Sequence, residues 1–268
     1  MGIKSIAKAI LMPSKKIYCN IYGINESEKL KGKNIVITGG SSGIGKTIAR
    51  CACNAGANVL VVGRNEERLK DVVKEFPENC RYCVCDISCK IENSIFLEFE
   101  KIINGTIDVL VNNAGIYVDN KYLDYSSVEF DEILNTNTKG PFILSQLYIK
   151  YCLSNKLQGN IIFTTSNRSL MGDFGPYGMS KAAINNLIEG LARENIYTGI
   201  RVNGVAPGMT ASGINGLTPS DNLYTSSAKG ERVLLPEEIA EVVCFLASDI
   251  SKCITGAIIP CDDGDRLR

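Results

Sequence analysis

The sequence predicts an α/β protein, a single doubly wound parallel sheet of about seven strands with helices on both faces. Three observations carry that expectation. Apolar runs of strand length alternate with stretches of helical period from Lys33 onward. Most of those runs are continuously apolar, as strands covered on both faces must be. The joints between them are short and polar, which suits parallel neighbours linked by helical crossovers.

Taken in order, the first run is Asn34–Thr38, which passes directly into Gly39-Gly40-Ser41-Ser42-Gly43-Ile44-Gly45 and a helical stretch over Ile44–Ala55. Strand Asn58–Val62 and helix Asn65–Glu75 follow, then strand Arg81–Cys85 and helix Ile91–Ile103. Val109–Asn112 is the fourth strand, and a long helical period covers Ser127–Asn155. Next come strand Asn160–Thr164, helix Tyr177–Glu194, strand Arg201–Val205, helix Pro236–Ser248 and strand Ala257–Pro260. Between the sixth strand and the last helix, residues 210–235 are rich in Ser, Gly, Thr and Asn and lack strand character. Loops of that length are usually functional or disordered, and open α/β sheets bind ligands beyond the carboxyl ends of their strands. This segment is therefore expected to be a substrate lid.

Composition narrows the chemistry. At 268 residues and 45% apolar content, the chain suits one large domain over residues 30–268. The 29 basic and 29 acidic residues balance and are spread out, so no nucleic-acid groove is indicated. There is no histidine, which removes His triads, His-ligated zinc and imidazole acid/base chemistry. Of the 11 cysteines, Cys51, Cys53, Cys85 and Cys244 fall in apolar periodic segments, where a thiol behaves as a small hydrophobe. The cluster Cys80, Cys83, Cys85, Cys89 lacks a second Cys-x-x-Cys pair, so core and surface thiols are expected there and no metal site. The chain reads as cytoplasmic and reduced.

Residues 1–29 form an N-terminal extension. Ile3, Ile6, Ile10 and Leu11 make a weak helical stripe with Lys4, Lys8, Lys15 and Lys16 elsewhere, too short and interrupted to be secretory or membrane-spanning. Ile6 breaks the myristoylation pattern that Gly2 would begin. Packing on the body or disorder is expected, with contact at a membrane surface the less favoured alternative.

Two places carry chemistry. At the first strand–helix joint, glycines let backbone approach a pyrophosphate, and the helix N-terminus supplies N–H groups and positive dipole. The second strand ends Gly63-Arg64, so the acid that would take a ribose 2′-hydroxyl is missing and a guanidinium suited to a 2′-phosphate stands beside it. NADP(H) is favoured over NAD(H) on that ground. Farther on, Tyr177 and Lys181 lie four residues apart, hence on one helix face, just after Thr164-Thr165-Ser166. A nearby fixed positive charge would draw the phenol's pKa down towards working pH, as a proton donor to a carbonyl oxygen needs.

With these residues assembled, the chain resembles the short-chain dehydrogenase/reductase family, and most nearly its 3-oxoacyl-acyl-carrier-protein-reductase-like members, from about Leu30 to Gly264. The resemblance implies a Rossmann-type fold and an NAD(P)(H)-dependent oxidoreductase that interconverts a ketone and a secondary alcohol. The glycine motif is Thr38-Gly-Gly-Ser-Ser-Gly-Ile-Gly45, with Gly39, Ser41, Ser42, Gly43, Ile44 and Gly45 at the cofactor. Asp86, with Ile87 beside it, corresponds to the family's adenine-contacting acid; Asn113, Ala114 and Gly115 belong to its Asn-Asn-Ala-Gly block. Asn137 matches the helix asparagine that holds a proton-relay water, and Tyr177 and Lys181 the catalytic pair. Pro207, Gly208 and Thr210 match the segment that closes over the nicotinamide.

Two departures stand out. The family's catalytic serine usually precedes the tyrosine by about thirteen residues, where Thr164 stands; Ser166 is chosen here because it follows the fifth strand as that serine does, with Thr164 and Thr165 as alternatives. The ending Cys261-Asp262-Asp263-Gly264 replaces a common Gly-Gly, a change expected to touch subunit packing more than chemistry. The resemblance further implies a small-molecule carbonyl or alcohol substrate, no nucleic acid, and a homotetramer or homodimer formed through paired helices. Two rivals share the fold. Epimerases and dehydratases usually carry a larger C-terminal substrate domain than this chain has, and a non-catalytic NADPH-binding sensor or regulatory protein has no need of an acid.

Overall fold

The computed structural model describes residues 28–267 except Lys90 and Asn215, so the stripe of Ile3, Ile6, Ile10 and Leu11 expected in the 1–29 extension lies outside the described residues. Seven parallel strands form one sheet: β1 (Asn34–Thr38), β2 (Asn58–Gly63), β3 (Cys80–Val84), β4 (Val109–Asn112), β5 (Asn160–Thr164), β6 (Arg201–Pro207) and β7 (Ile258–Cys261). Their spatial order is β3-β2-β1-β4-β5-β6-β7, so the order reverses between β1 and β4. That reversal opens a crevice at the carboxyl lip of the sheet.

Alternate side chains of these β-branched runs enter two cores. Ile35, Ile37, Val59, Val61, Val109 and Val111 face helices α1 (Gly43–Asn54) and α2 (Glu66–Glu75). Val36, Leu60, Leu110, Ile161 and Phe163 face α3 (Ile95–Ile103), α5 (Gly140–Asn155) and α6 (Pro176–Glu194). Phe96, Phe99, Tyr148 and Tyr151 pack as an aromatic group in the second core. Each such side chain, fully buried, contributes roughly 2–3 kcal/mol. The last helix, α7 (Pro236–Ala247), packs on α1.

Three expectations need correction. The helix expected over Ile91–Ile103 begins only at Ile95. The helical period over Ser127–Asn155 is not one helix: α4 (Ser127–Leu134) gives way to a π-helical turn, Asn135–Lys139, before α5 starts. Asn-Thr-Asn-Thr is poor helix-forming sequence, and Pro141 lacks the N–H that a continuous α-helix would use. Finally, residues 210–235 are not featureless. Ala211, Leu223, Val233 and Leu235 bury against one another, and single bridges join Thr210 to Leu234 and Tyr224 to Arg232. The segment is a folded excursion with its own small core, set above the carboxyl ends of β6 and β7.

Candidate active site

The phosphate end of the site is built by glycines and one threonine. Thr38 Oγ1 donates to the Val111 carbonyl at 3.3 Å and accepts from Asn113 N and Ala114 N at 3.0 and 3.1 Å, locking the ends of β1 and β4 together. Gly39 follows at φ +66°, and a Cβ there would sit 2.8 Å from Ala114 Cα. At Gly43, φ is +51° and a Cβ would meet Ser212 O at 2.5 Å. A Cβ on Gly45 would strike the Gly39 carbonyl and Asn113 Nδ2. The chain can make this close turn only with glycine at these places. Ser42 caps α1 with an extended backbone but no side-chain bond, and the first turn holds no acid. The helix's leading N–H groups therefore remain for an anion. This cradle fits the pyrophosphate of a dinucleotide.

Around it, Ser41 Oγ approaches the end of β2, 3.6 Å from where a Gly63 side chain would begin, while Ile44 packs down onto the core. The Arg64 side chain is 65% exposed, and its Nη1 is 3.9 Å from Asp86 Oδ2, a loose pair. Asp86 Oδ1 accepts from Ser88 N and Oγ at 2.9 and 2.7 Å. Burial raises the Asp86 pKa, but the Ser88 hydrogen bonds and Arg64 outweigh it and hold the carboxyl below its ordinary range. Ile87 is buried, and its carbonyl lies against Gly140. Pro207 ends β6; Gly208 N donates to Cys261 O, and Thr210 Oγ1 to Gly208 O at 2.9 Å.

The reacting end gathers at the carboxyl lip of β4 and β5. Pro176 opens α6, placing Tyr177 in its first turn and Lys181 one turn on, on the same face. Lys181 is buried, its Nζ donating to the Thr164 carbonyl at 2.8 Å and lying 5.8 Å from the centre of the Tyr177 ring. Burial lowers its pKa from 10.5 to about 8. The Tyr177 phenol is pushed up, not down: burial dominates, with the Ser166 hydrogen bond and Arg168 opposing it and Tyr117 and Asp173 adding to it. This corrects the expectation that Lys181 would lower it here. The ammonium points to Thr164, and the burial that desolvates the phenol also weakens the ammonium.

The three hydroxyls left open by the sequence differ in their partners, and that of Ser166 donates only at 3.5 Å, to Asn167 Oδ1. Thr164 Oγ1 donates to Asn113 Oδ1 at 3.2 Å, and Thr165 Oγ1 to Val205 O at 3.2 Å. Ser166 is the one whose hydroxyl bears on the Tyr177 phenol, drawing its pKa down against the effect of burial. It also accepts from Arg168 N at 3.2 Å. Asn137 sits in the π turn, where its Oδ1 accepts from Ile116 N at 2.8 Å and its Nδ2 donates to Ile116 O and Ser180 Oγ. Each polar atom of its amide thus has a protein partner. Gly115 leaves the gap between Asn137 Oδ1 and Lys181 Nζ open, since a Cβ there would lie 3.3 and 3.4 Å from them.

Several neighbours of the phenol escaped the sequence reading. The Tyr117 ring meets Tyr177 edge-on at 5.2 Å, and the Arg168 guanidinium lies 5.3 Å from the Tyr117 ring centre and 3.4 Å from Asp173 Oδ2. Tyr122 and Phe174, both exposed, pair edge-on at 5.9 Å beside the approach. Acids of the C-terminal turn also reach the site region. Asp263 and Asp265 bond to residues of the 210–235 segment and to Asn167, next to Ser166. Only the proximity of Arg168 to Ser166 in sequence could have hinted at any of these.

Comparison with known proteins agrees with this architecture. Residues 33–222 match the short chain dehydrogenase family. The 3-oxoacyl-acyl-carrier-protein reductase FabG of Thermotoga maritima is 34% identical over 88% of this chain and 98% of its own length. The same-named protein of Rickettsia conorii is 35% identical over 88% and 97%. The (+)-cis,trans-nepetalactol synthase NEPS1 of Nepeta racemosa is 32% identical over 88% and 92%. A short chain dehydrogenase from Bacillus anthracis, known from its crystal structure, superposes with a TM-score of 0.80 at 29% identity, covering 89% of this chain and 98% of that one. The chain therefore belongs to the short-chain dehydrogenase/reductase family of oxidoreductases.

Proposed function

We propose that the protein is an NADP(H)-dependent reductase that converts a ketone to a secondary alcohol, or the reverse, as the FabG relatives' names suggest. The carrying observation is convergence: the glycine cradle, Ser166, Tyr177 and Lys181 share one crevice at the sheet's carboxyl lip. When bound, a nicotinamide supplies the hydride that side chains cannot. Gly39, Ser41, Ser42, Gly43, Ile44 and Gly45 would hold its pyrophosphate, Asn113, Ala114 and Gly115 would line the cleft, and Asp86 and Ile87 would border the adenine. Pro207, Gly208 and Thr210 would border the ring.

The chain's own residues then handle the proton. Tyr177 gives its phenolic proton to the carbonyl oxygen as negative charge develops there, and Ser166 donates a hydrogen bond to the same oxygen. Lys181, largely protonated at neutral pH and 5.8 Å from the centre of the Tyr177 ring, would favour the resulting phenolate through its charge. Asn137 fixes the loop after β4 at Ile116 and, through Ser180, the N-terminal part of α6. In the oxidative direction each transfer reverses.

Arg64, exposed and only loosely paired, supports the NADP(H) preference because its fork suits a 2′-phosphate. A partly apolar substrate fits the rim of Tyr122, Phe174 and Met209, with 210–235 as lid. The proposed setting is cytoplasmic. Among the described residues no helix is long and apolar enough to cross a membrane. An apolar hollow among Leu134, Phe142, Ala183 and Leu187 on α4–α6 supports assembly as a homodimer or homotetramer. The test is loss of NADPH absorbance against a ketone panel, alongside Tyr177→Phe. The variant should lose about 10²–10⁴-fold in rate while binding NADPH normally. Binding without turnover of any carbonyl by the unaltered protein would leave the sensor reading instead.

A further inference from the structure

The C-terminal turn presents a carboxylate whose two oxygens serve different parts of the site. Asp265 Oδ2 accepts from Asn167 Nδ2 at 3.0 Å, and its Oδ1 accepts from the main-chain N–H of Lys229 at 3.2 Å. Asn167 is buried and directly follows Ser166, whose Oγ lies 3.5 Å from Asn167 Oδ1. Lys229 belongs to the excursion over residues 210–235, which packs on its own small core. The turn itself is well held, since buried Asp262 accepts from Gly264 N and Arg266 N at 3.2 Å. Because a carboxylate can only accept, Asp265 turns the donor end of the Asn167 amide towards itself and leaves the amide oxygen facing Ser166.

We propose that Asp265 is a positioning residue that ties the outer end of the lid to the turn carrying Ser166, making lid seating and Ser166 placement one event. Asp265 acts through Asn167 and the lid backbone and touches neither substrate nor cofactor. The inference rests on the reading of Ser166 as the donor to the carbonyl oxygen.

The test compares Asp265→Ala, Asn167→Asp and the double variant Asn167→Asp/Asp265→Asn with the unaltered protein. Asp265→Ala should lower kcat/KM for a reducible ketone about tenfold, the worth of one charge-assisted hydrogen bond. NADPH affinity should stay unchanged, and trypsin should cut faster after Lys229. Asn167→Asp alone sets two carboxylates face to face and should be worse. The double variant restores the bond with donor and acceptor exchanged, keeps an acceptor towards both Lys229 and Ser166, and should recover most of both readouts. Unchanged turnover and cleavage in Asp265→Ala would overturn the proposal. So would failure of the double variant to recover, or NADPH affinity falling in step with turnover, which marks a purely structural role. If the unaltered protein reduces no ketone, the functional reading fails, and the trypsin arm alone decides whether Asp265 holds the lid.

Discussion

Lys181→Met should make the protein more stable while removing its activity. Burial lowers the Lys181 amine from 10.5 to about 8. At about 1.4 kcal/mol per pKa unit, keeping the ammonium inside costs the folded state about 3 kcal/mol at neutral pH. Methionine has similar length and no charge, but the Thr164 carbonyl loses its donor at 2.8 Å, worth about 1 kcal/mol. The net gain of about 2 kcal/mol corresponds to a Tm rise of roughly 4–8 °C for a chain of this size. The sign of the pH dependence is fixed by the direction of the shift. The folded-state value lies below the unfolded one, so unfolding takes up a proton between about 8 and 10.5, and the unaltered protein gains stability as pH rises through that window. The advantage of Lys181→Met should therefore shrink from pH 7 to pH 10. Buried thiols act oppositely: burial pushes Cys51, Cys83, Cys152 and Cys261 up to about 11, so they resist ionising when the unfolded chain does. Their effect is common to both proteins and cancels in the difference. Thermal denaturation followed by circular dichroism at pH 7, 8.5 and 10 measures it. A variant less stable at pH 7, or a Tm difference constant across the series, would refute the reasoning.

Ser166→Ala should lower kcat about 10²-fold with little change in NADPH affinity, whereas Thr165→Ser, which keeps the bond to Val205 O, should leave steady-state rates near normal. Arg64→Leu should cut the ratio of NADPH to NADH efficiency about tenfold or more, as expected for loss of one charge-assisted phosphate contact; an unchanged ratio would send the 2′-phosphate elsewhere. Gly43→Val must hold a β-branched residue at φ +51° against Ser212 O. Strain of about 1–3 kcal/mol and a filled cradle should lower Tm and abolish NADPH binding as read by fluorescence titration.

The sheet was legible because parallel strands buried on both faces must be written as unbroken apolar runs, and each of the seven runs became a strand within about two residues. The glycine turn was legible for a related reason: only glycine tolerates the close approach to Ala114 and Asn113, so the backbone requirement is spelled in the residues. The π turn at Asn135–Lys139 was hidden, because the helical period of α4 and α5 runs on across it and only Gly140-Pro141 betrays a break. The choice among Thr164, Thr165 and Ser166 could be read only as a preference for Ser166, with both threonines left as alternatives. All three are small hydroxyls at a strand end, and which of them faces Tyr177 depends on partners in β4 and β6 that lie far away in the chain. The same holds for Arg168, Tyr117 and Asp265, whose partners are set by tertiary packing and leave no periodic trace.

The hydrogen bonds divide the site into a part that is fixed and a part that can move. Lys181 Nζ rests on the Thr164 carbonyl, the Thr164 hydroxyl on Asn113, and the Asn113 amide on the Thr38 and Gly39 carbonyls. This one chain of contacts joins α6, β5, β4 and β1, so no member can shift without stripping a buried polar group of its partner, at about 1–3 kcal/mol each. Tyr177 and Lys181 are accordingly presented to the cradle as a rigid pair, and their separation is not something substrate binding has to adjust. Ser166 lies at the end of that frame, and its neighbours Asn167 and Arg168 look outward, to Asp265 and to Tyr117 and Asp173. This outer edge lies beside the inner frame and is not part of it. Perturbations of the inner chain should then lower kcat for every carbonyl alike, and perturbations at Asp265 or Arg168 should change which carbonyls are preferred.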